Sequence, residues 1–409
     1  MICYFFPPLI TSGVTRSLEF ARLLPAFGWV PKVLTVKRSK DPWVKASHGG
    51  DPEGIQITRS FEWNLAGLVD FLHGCCCRVA RLFGKNLSQN LFREYLCVPD
   101  SQIAWLSTIP ACRSARECEL IYVSCSPFSS SVSAAIVKRL TGRPLVVDFR
   151  DAWSLNPHIH PNRLHRAIIS HFERFVLSAC DVLVVNTDGA ARLYATAYPE
   201  YREKIVTIPN GYDVLTPVNQ RTTRGEFQIM HVGSFYGSRS PDGLLECLAE
   251  IRRDDIVFVQ VGGSFDSYEQ FKEKVRIKII PPLPREGALE LMRQASLLYL
   301  KQGWEPGVSE YIAVGAKTYE YLATGLPILA EVPPGDNAKL VQKYASAGYV
   351  VTTNNRADLR HAVEQAYEAR SRERVVIHPE FAKEFSRRDL TQKLATVFDR
   401  LAALPTDRQ

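Results

Sequence analysis

Short apolar runs alternate with helical patterns along nearly the whole of this chain, and that alternation restricts its fold more than any other feature. In the first half, ICYFF, KVLTV, LIYVSC, PLVVDF and DVLVVN are interleaved with SLEFARLLPAFG and with helical patterns near 130–140 and 161–178. Strand and helix taking turns mean a parallel sheet with crossover helices. The second half repeats the theme with FQIMHVGS, IVFVQVGG, KIIPPL, LLYLK and PILAEV, and with helices near 242–252 and 285–294. The 409 residues, 46% of them hydrophobic, exceed one ordinary core. The expectation is an α/β protein of two doubly wound domains, residues 1–205 and 206–380, with IPNGYD and a polar segment at the junction. A last helical pattern at 386–402, SRRDLTQKLATVFDRLA, is expected to cross back onto the first domain.

Composition narrows the partners. The formal charge of +7 is a mild basic excess that favours anions such as phosphates or an acidic lipid surface. No nucleic-acid-binding motif accompanies it. The opening MICYFFPPLITSG has no basic leader and meets Pro7-Pro8 early, so neither a signal peptide nor a membrane span is expected there, and the chain is placed in the cytoplasm. Ten cysteines, three of them consecutive at Cys75, Cys76 and Cys77, show no zinc spacing and read as reduced thiols used mainly in packing.

Residues 63–85 are of another kind. On a helix, Leu65, Leu68, Leu72, Cys76, Val79 and Phe83 form one stripe while Arg78, Arg81 and Lys85 fall on the other side. Either the stripe packs on its own domain with the basic face solvated, or the helix lies on an anionic membrane surface.

Parallel sheets of this kind bind ligands outside the carboxyl ends of their strands, so four strand-following loops matter. PPLITSGVTR brings Gly13 to a helix start, where bare backbone can approach a ligand. VDFRDAW carries an apolar strand into Asp148, Arg150 and Asp151, with Trp153 beyond. That cluster suits polar recognition and proton handling, or else a salt-bridged turn in which Arg150 pairs with a carboxylate. HVGSFYGSRSP offers Gly233 for close backbone approach and Arg239 as a paired donor for phosphate. GAKTYEYLATGLPIL places Lys317 and Glu320 in a helix otherwise made for burial. Lys317 is suited to a diphosphate and Glu320 to ribose hydroxyls, unless Lys317 is solvated and Glu320 pairs with an arginine.

Six stretches in order carry a resemblance over nearly the whole chain: FFPPLITSGVTRSLEFARLLPAFGWVPKVLTV, PDSQIAWL, CSPFSSSVSAAIVKRLTGRPLVVDFRDAW, IPNGYD, HVGSFYGSRSP and GAKTYEYLATGLPIL. The chain resembles glycosyltransferase family 4, of the GT-B architecture. The resemblance implies two Rossmann-like domains facing a cleft, the first binding an acceptor and the second a UDP- or GDP-linked sugar, with retaining transfer and no metal or other cofactor. By position, Arg239 and Lys317 would neutralise the diphosphate, Glu320 would hold the ribose, Gly13 and Gly233 would approach the donor, and Asp151, with Arg150, would lie beside the transferred sugar. Two departures stand out. Ile312 occupies a position that is often glutamate in the family, with Glu305 and Glu310 nearby, and Arg150 stands where many members have histidine.

The function expected is sugar transfer onto a glycan or polyprenyl-linked acceptor for a surface polysaccharide, by a protein peripheral on the inner face of the plasma membrane. A nucleotide-sugar epimerase of the same fold, or a non-catalytic nucleotide-sugar binder or partner protein, are the alternatives.

Overall fold

Among the residues described by the computed structural model (1–41, 44–46, 50–84, 91–156, 163–213, 225–235, 239–303, 310–372 and 375–403), the apolar runs of the first half form one sheet. Its strands are β1 (Ile2–Cys3), β2 (Lys32–Val36), β3 (Gln56–Ser60), β4 (Ile121–Cys125), β5 (Leu145–Phe149), β6 (Val182–Val185) and β7 (Ile205–Thr207). They lie in the order β3-β2-β1-β4-β5-β6-β7 and all pair in parallel. Every residue of β4 and β5 is buried, as a strand covered by helices on both faces must be. Crossovers are made by α1 (Ser12–Leu23), α2 (Leu65–Leu82), α3 (Ser129–Thr141), α4 (Arg163–Ala179) and α5 (Asp188–Ala197).

The second half forms β8 (Phe227–Val232), β9 (Ile256–Val261), β10 (Ile277–Ile280), β11 (Leu297–Lys301), β12 (Ile328–Glu331) and β13 (Gly348–Val351), in the order β10-β9-β8-β11-β12-β13, again parallel. Its helices include α6 (Asp242–Ile251), α7 (Arg285–Met292), α8 (Ala316–Leu322), α9 (Asp336–Tyr344) and α10 (Arg356–Ala369). Alternate strand residues feed opposite faces. Met230, Val259 and Leu298 enter one core, and Ile229, Phe258 and Leu297 the other. In each sheet the strand order reverses once, between β1 and β4 and between β8 and β11. Such a reversal opens a crevice at the carboxyl ends of the strands.

The chain divides into a unit of Met1–Pro209 with Leu390–Gln409 and a unit of Asn210–Asp389. The helix α11 (Arg387–Ala402) carries Leu390, Leu394, Val397, Phe398 and Leu401 on one stripe, and they enter the core that holds Phe6, Phe20 and Tyr122. Trp29 fixes this helix further, its Nε1 donating to Asp399 at 2.9 Å and its ring meeting Phe398 edge-on.

Helix α2 corrects one of the two readings of its stripe. Leu68, Phe71, Leu72, Val79, Leu82 and Phe83 are all exposed, and Val69 is the residue it buries. At 100° per residue, Val69 and the part-buried Ala66, His73 and Cys77 share the neighbouring face, whose side chains are smaller. The helix seats through that face, so the large apolar residues point away from the domain. Arg78 borders their arc, Arg81 lies further round, and Lys85 lies outside the described residues. Among the described residues no helix is long and apolar enough to cross a membrane.

Candidate functional site

In the first unit, the loop after β1 leads into α1, whose cap Thr11 accepts from the Gly13 N–H at 3.0 Å. Arg150, immediately beyond β5, lies over this turn. A Cβ on Gly13 would stand 2.3 Å from Arg150 Nη1, so only glycine admits the guanidinium here. Backbone carbonyls hold the arginine in place: its Nε donates to Cys125 at 2.9 Å and its Nη2 to Ser126 at 2.7 Å. Among the described residues Arg150 therefore pairs with no carboxylate, contrary to the salt-bridged turn, and its Nη1 has no hydrogen bond.

The carboxylates of VDFRDAW part company. Asp148 is fully buried and grips Arg16 bidentately, at 2.8 and 3.1 Å, while accepting from the Tyr122 hydroxyl. Arg16 also donates to the Ile208 and Pro209 carbonyls. The expectation of proton handling by Asp148 is thereby corrected, since both its oxygens are committed inside the core. Asp151 is exposed and makes no ion pair among the described residues. Its loop is anchored behind: buried Glu173 of α4 accepts from Ser154, Tyr194 and Tyr198, and Trp153 N–H donates to the Tyr194 hydroxyl at 3.0 Å. Burial raises the Glu173 carboxyl above its usual range, opposed by these donors.

In the second unit, the residues on the two sides of the strand reversal meet. Gly233 follows β8 with φ at +119°, and its Cβ would lie 2.8 Å from Lys317 Nζ. Lys317 stands in α8, the helix after β11, so backbone and ammonium share the crevice. Lys317 Nζ contacts His231 Nε2 at 2.9 Å. Burial first, then Arg239, pulls the ammonium down to about 8, with Glu320 acting the other way. The electrostatic effect of Arg239 on both Lys317 and His231 places all three in one field. Glu320, half-buried, receives Arg285 on Oε1 at 3.0 Å, and Arg285 also pairs with Asp213. The alternative in which Glu320 pairs with an arginine is thus realised, but Oε2 has no partner among the described residues. Lys317 is part-buried and anchored, not solvated.

Sequence reasoning brought Gly233, Arg239, Lys317 and Glu320 together in one unit and Gly13, Arg150 and Asp151 in the other. It missed His231, Arg285 and Asp213, although His231 and Asp213 sit inside the quoted stretches HVGSFYGSRSP and IPNGYD. Of the substitutes considered for Ile312, Glu310 pairs with Lys339 and Glu305 lies outside the described residues.

Residues 12–211 match the family model described as glycosyl transferase 4-like domain, and residues 218–380 that of glycosyl transferases group 1. A segment of 182 residues, 39% of each chain, is 27% identical to D-inositol 3-phosphate glycosyltransferase of Nocardia farcinica, so the match spans well under half of that relative. Among solved structures, the Anabaena protein Alr3699/HepE in complex with UDP and glucose superposes with a TM-score of 0.58 at 14% identity, covering 94% of this chain and 95% of the other. Sucrose-phosphate synthase from Thermosynechococcus elongatus superposes with a TM-score of 0.65 at 13% identity, covering 94% and 92%. At such identities the likeness establishes the fold, two parallel-sheet α/β domains of GT-B type.

Proposed function

We propose, on the premise that the chain belongs to the glycosyltransferases built from a glycosyl transferase 4-like domain and a group 1 domain, that it moves a sugar from a nucleoside-diphosphate sugar to a glycan or lipid-linked acceptor. Transfer is retaining, requires no metal and serves surface polysaccharide synthesis at an anionic membrane. The observation that carries this reading is the convergence, at the strand reversal of the second unit, of Gly233 backbone, Lys317 and the field of Arg239. Negative charge grows on the diphosphate as the bond to the anomeric carbon breaks. Fixed cations there stabilise the transition state more than the ground state. Glu320, steered by Arg285, offers Oε2 to a ribose hydroxyl. Asp151 and the Nη1 of Arg150 serve the transfer step from the first unit.

The outward apolar arc of α2 supports the membrane part of the reading. Its large side chains suit the acyl boundary, and Arg78 at the border suits anionic headgroups. UDP is the first nucleotide to test and GDP the second, because the Anabaena protein was solved with UDP. The test is calorimetric titration with both nucleotides, followed by release of nucleoside diphosphate from the matching sugar donors in the presence of membrane-extracted acceptor. Retention is read from the anomeric coupling of the product. Donor binding without any diphosphate release would favour a second reading, a non-catalytic binder. Ile312 supplies its specific motive, since Glu310 is engaged with Lys339.

A further inference from the structure

Two partly or wholly buried lysines in the second unit are treated in opposite ways. Lys301, at the end of β11, is paired with the buried carboxylate of Glu331, which also accepts from the Tyr299 hydroxyl. Lys317 makes no ion pair among the described residues; its hydrogen-bond partner is the imidazole of His231. That imidazole is 2% exposed and stacks on Phe235 with ring centroids 4.0 Å apart. Its Nδ1 lies 3.0 Å from the Tyr299 carbonyl, which can only accept, so Nδ1 carries the proton. In the neutral ring Nε2 is then an acceptor, and the donor across the 2.9 Å contact is the Lys317 amine.

We propose that His231 is the positioning residue of the phosphate site, a neutral acceptor that fixes the Lys317 ammonium while leaving its charge uncompensated for the diphosphate. The proposal rests on the donor-site reading above. A carboxylate in this place would orient the lysine equally well but cancel it, as Glu331 does for Lys301. The imidazole stays neutral because burial, Lys317 and Arg239 all act against its protonation, more than the Tyr299 carbonyl favours it. The charged groups acting on Lys317 are Arg239, which opposes its charge, and Glu320, which favours it but is engaged with Arg285. A bound diphosphate adds the missing anion, so Lys317 takes up a proton on binding wherever the free amine is partly deprotonated.

The experiment is calorimetry with UDP and with GDP at about pH 8.5, in two buffers of different ionisation heat. Proton uptake by the wild-type protein and its disappearance in Lys317→Arg are expected. Absence of uptake in a wild-type protein that binds overturns the proposal. His231→Leu, checked for a retained unfolding transition, should lose at least about tenfold in affinity. His231→Gln, whose amide oxygen can stand in for Nε2, should recover to within about threefold of wild type. His231→Leu binding as well as wild type, or His231→Gln binding as poorly as His231→Leu, overturns the proposal while leaving the donor site standing, provided Lys317→Ala still weakens binding by at least about tenfold. Failure of the wild-type protein to bind either nucleotide overturns both.

Discussion

Asp148, inside β5, and Asp151, just beyond its end, stand three residues apart and meet opposite fates, which shows what residue type alone can tell. Asp148 is consumed by Arg16 and Tyr122 in the core, and Asp151 is left in the open. Asp148→Asn leaves Arg16 buried with two carbonyls and no counter-charge. Denaturant unfolding should show a loss of about 3 kcal/mol, near the low end for a broken buried pair. The donor site gives a second expectation. Lys317→Ala and Arg239→Ala should each weaken nucleoside diphosphate binding by about ten- to a hundredfold, the scale of charge-assisted hydrogen bonds. Because a bound anion raises a lysine that is free at about 8, wild-type affinity should be flat below that pH and fall above it, by up to about tenfold per pH unit. A flat profile across that range would show that Lys317 does not meet the phosphates. The loops bearing these residues were legible because glycine, arginine and lysine after apolar strands point to anions. His231 was not, because its partner lies 86 residues away and only the register of β8 against α8 brings them together.

At the scale of an element, α2 marks the boundary between pattern and placement. Periodicity gave a helix with an apolar stripe, and the helix forms over Leu65–Leu82. Periodicity says which residues share a face, but not what that face meets. A stripe of Leu, Val and Phe serves a core or a lipid boundary equally well. What decided the matter was the small-residue face beside it, which lets the helix approach its domain through Val69 and leaves Leu68, Leu72 and Val79 outside. If the arc meets membrane, a Leu72→Glu and Val79→Glu double variant should keep its unfolding transition, since both side chains are already exposed. It should also lose flotation with vesicles containing anionic lipid. Wild-type flotation should fall as salt rises, because exposed charges are screened over about 8 Å at physiological ionic strength. Equal recovery of wild type with neutral and anionic vesicles would remove the electrostatic part of the idea.

For the whole molecule, the repeated alternation of strand and helix was enough to read two parallel sheets. Each has the strand order of a doubly wound fold, because crossover helices and right-handed connections leave few other ways to pair such strands. The consequence for function is a division of labour that can be tested by the kind of defect each unit yields. Lys317 and Glu320 belong to the unit Asn210–Asp389, and Asp151 to the unit Met1–Pro209 with Leu390–Gln409. Glu320→Ala removes a hydrogen bond made before and during reaction, so it should weaken nucleotide and nucleotide-sugar binding alike. It also frees Arg285, which still has Asp213 as a partner, so the fold should survive. Asp151→Asn keeps the shape of an exposed side chain and removes its charge. Nucleotide affinity should stay near wild type while turnover drops by about a hundredfold or more, the general scale for an acid–base or electrostatic group. Donor affinity by calorimetry and diphosphate release on adding acceptor separate the two effects. An Asp151→Asn protein that turns over like wild type would take Asp151 out of the transfer step, and leave Arg150, pinned over Gly13 with Nη1 unbonded among the described residues, as the first unit's charged group for that role.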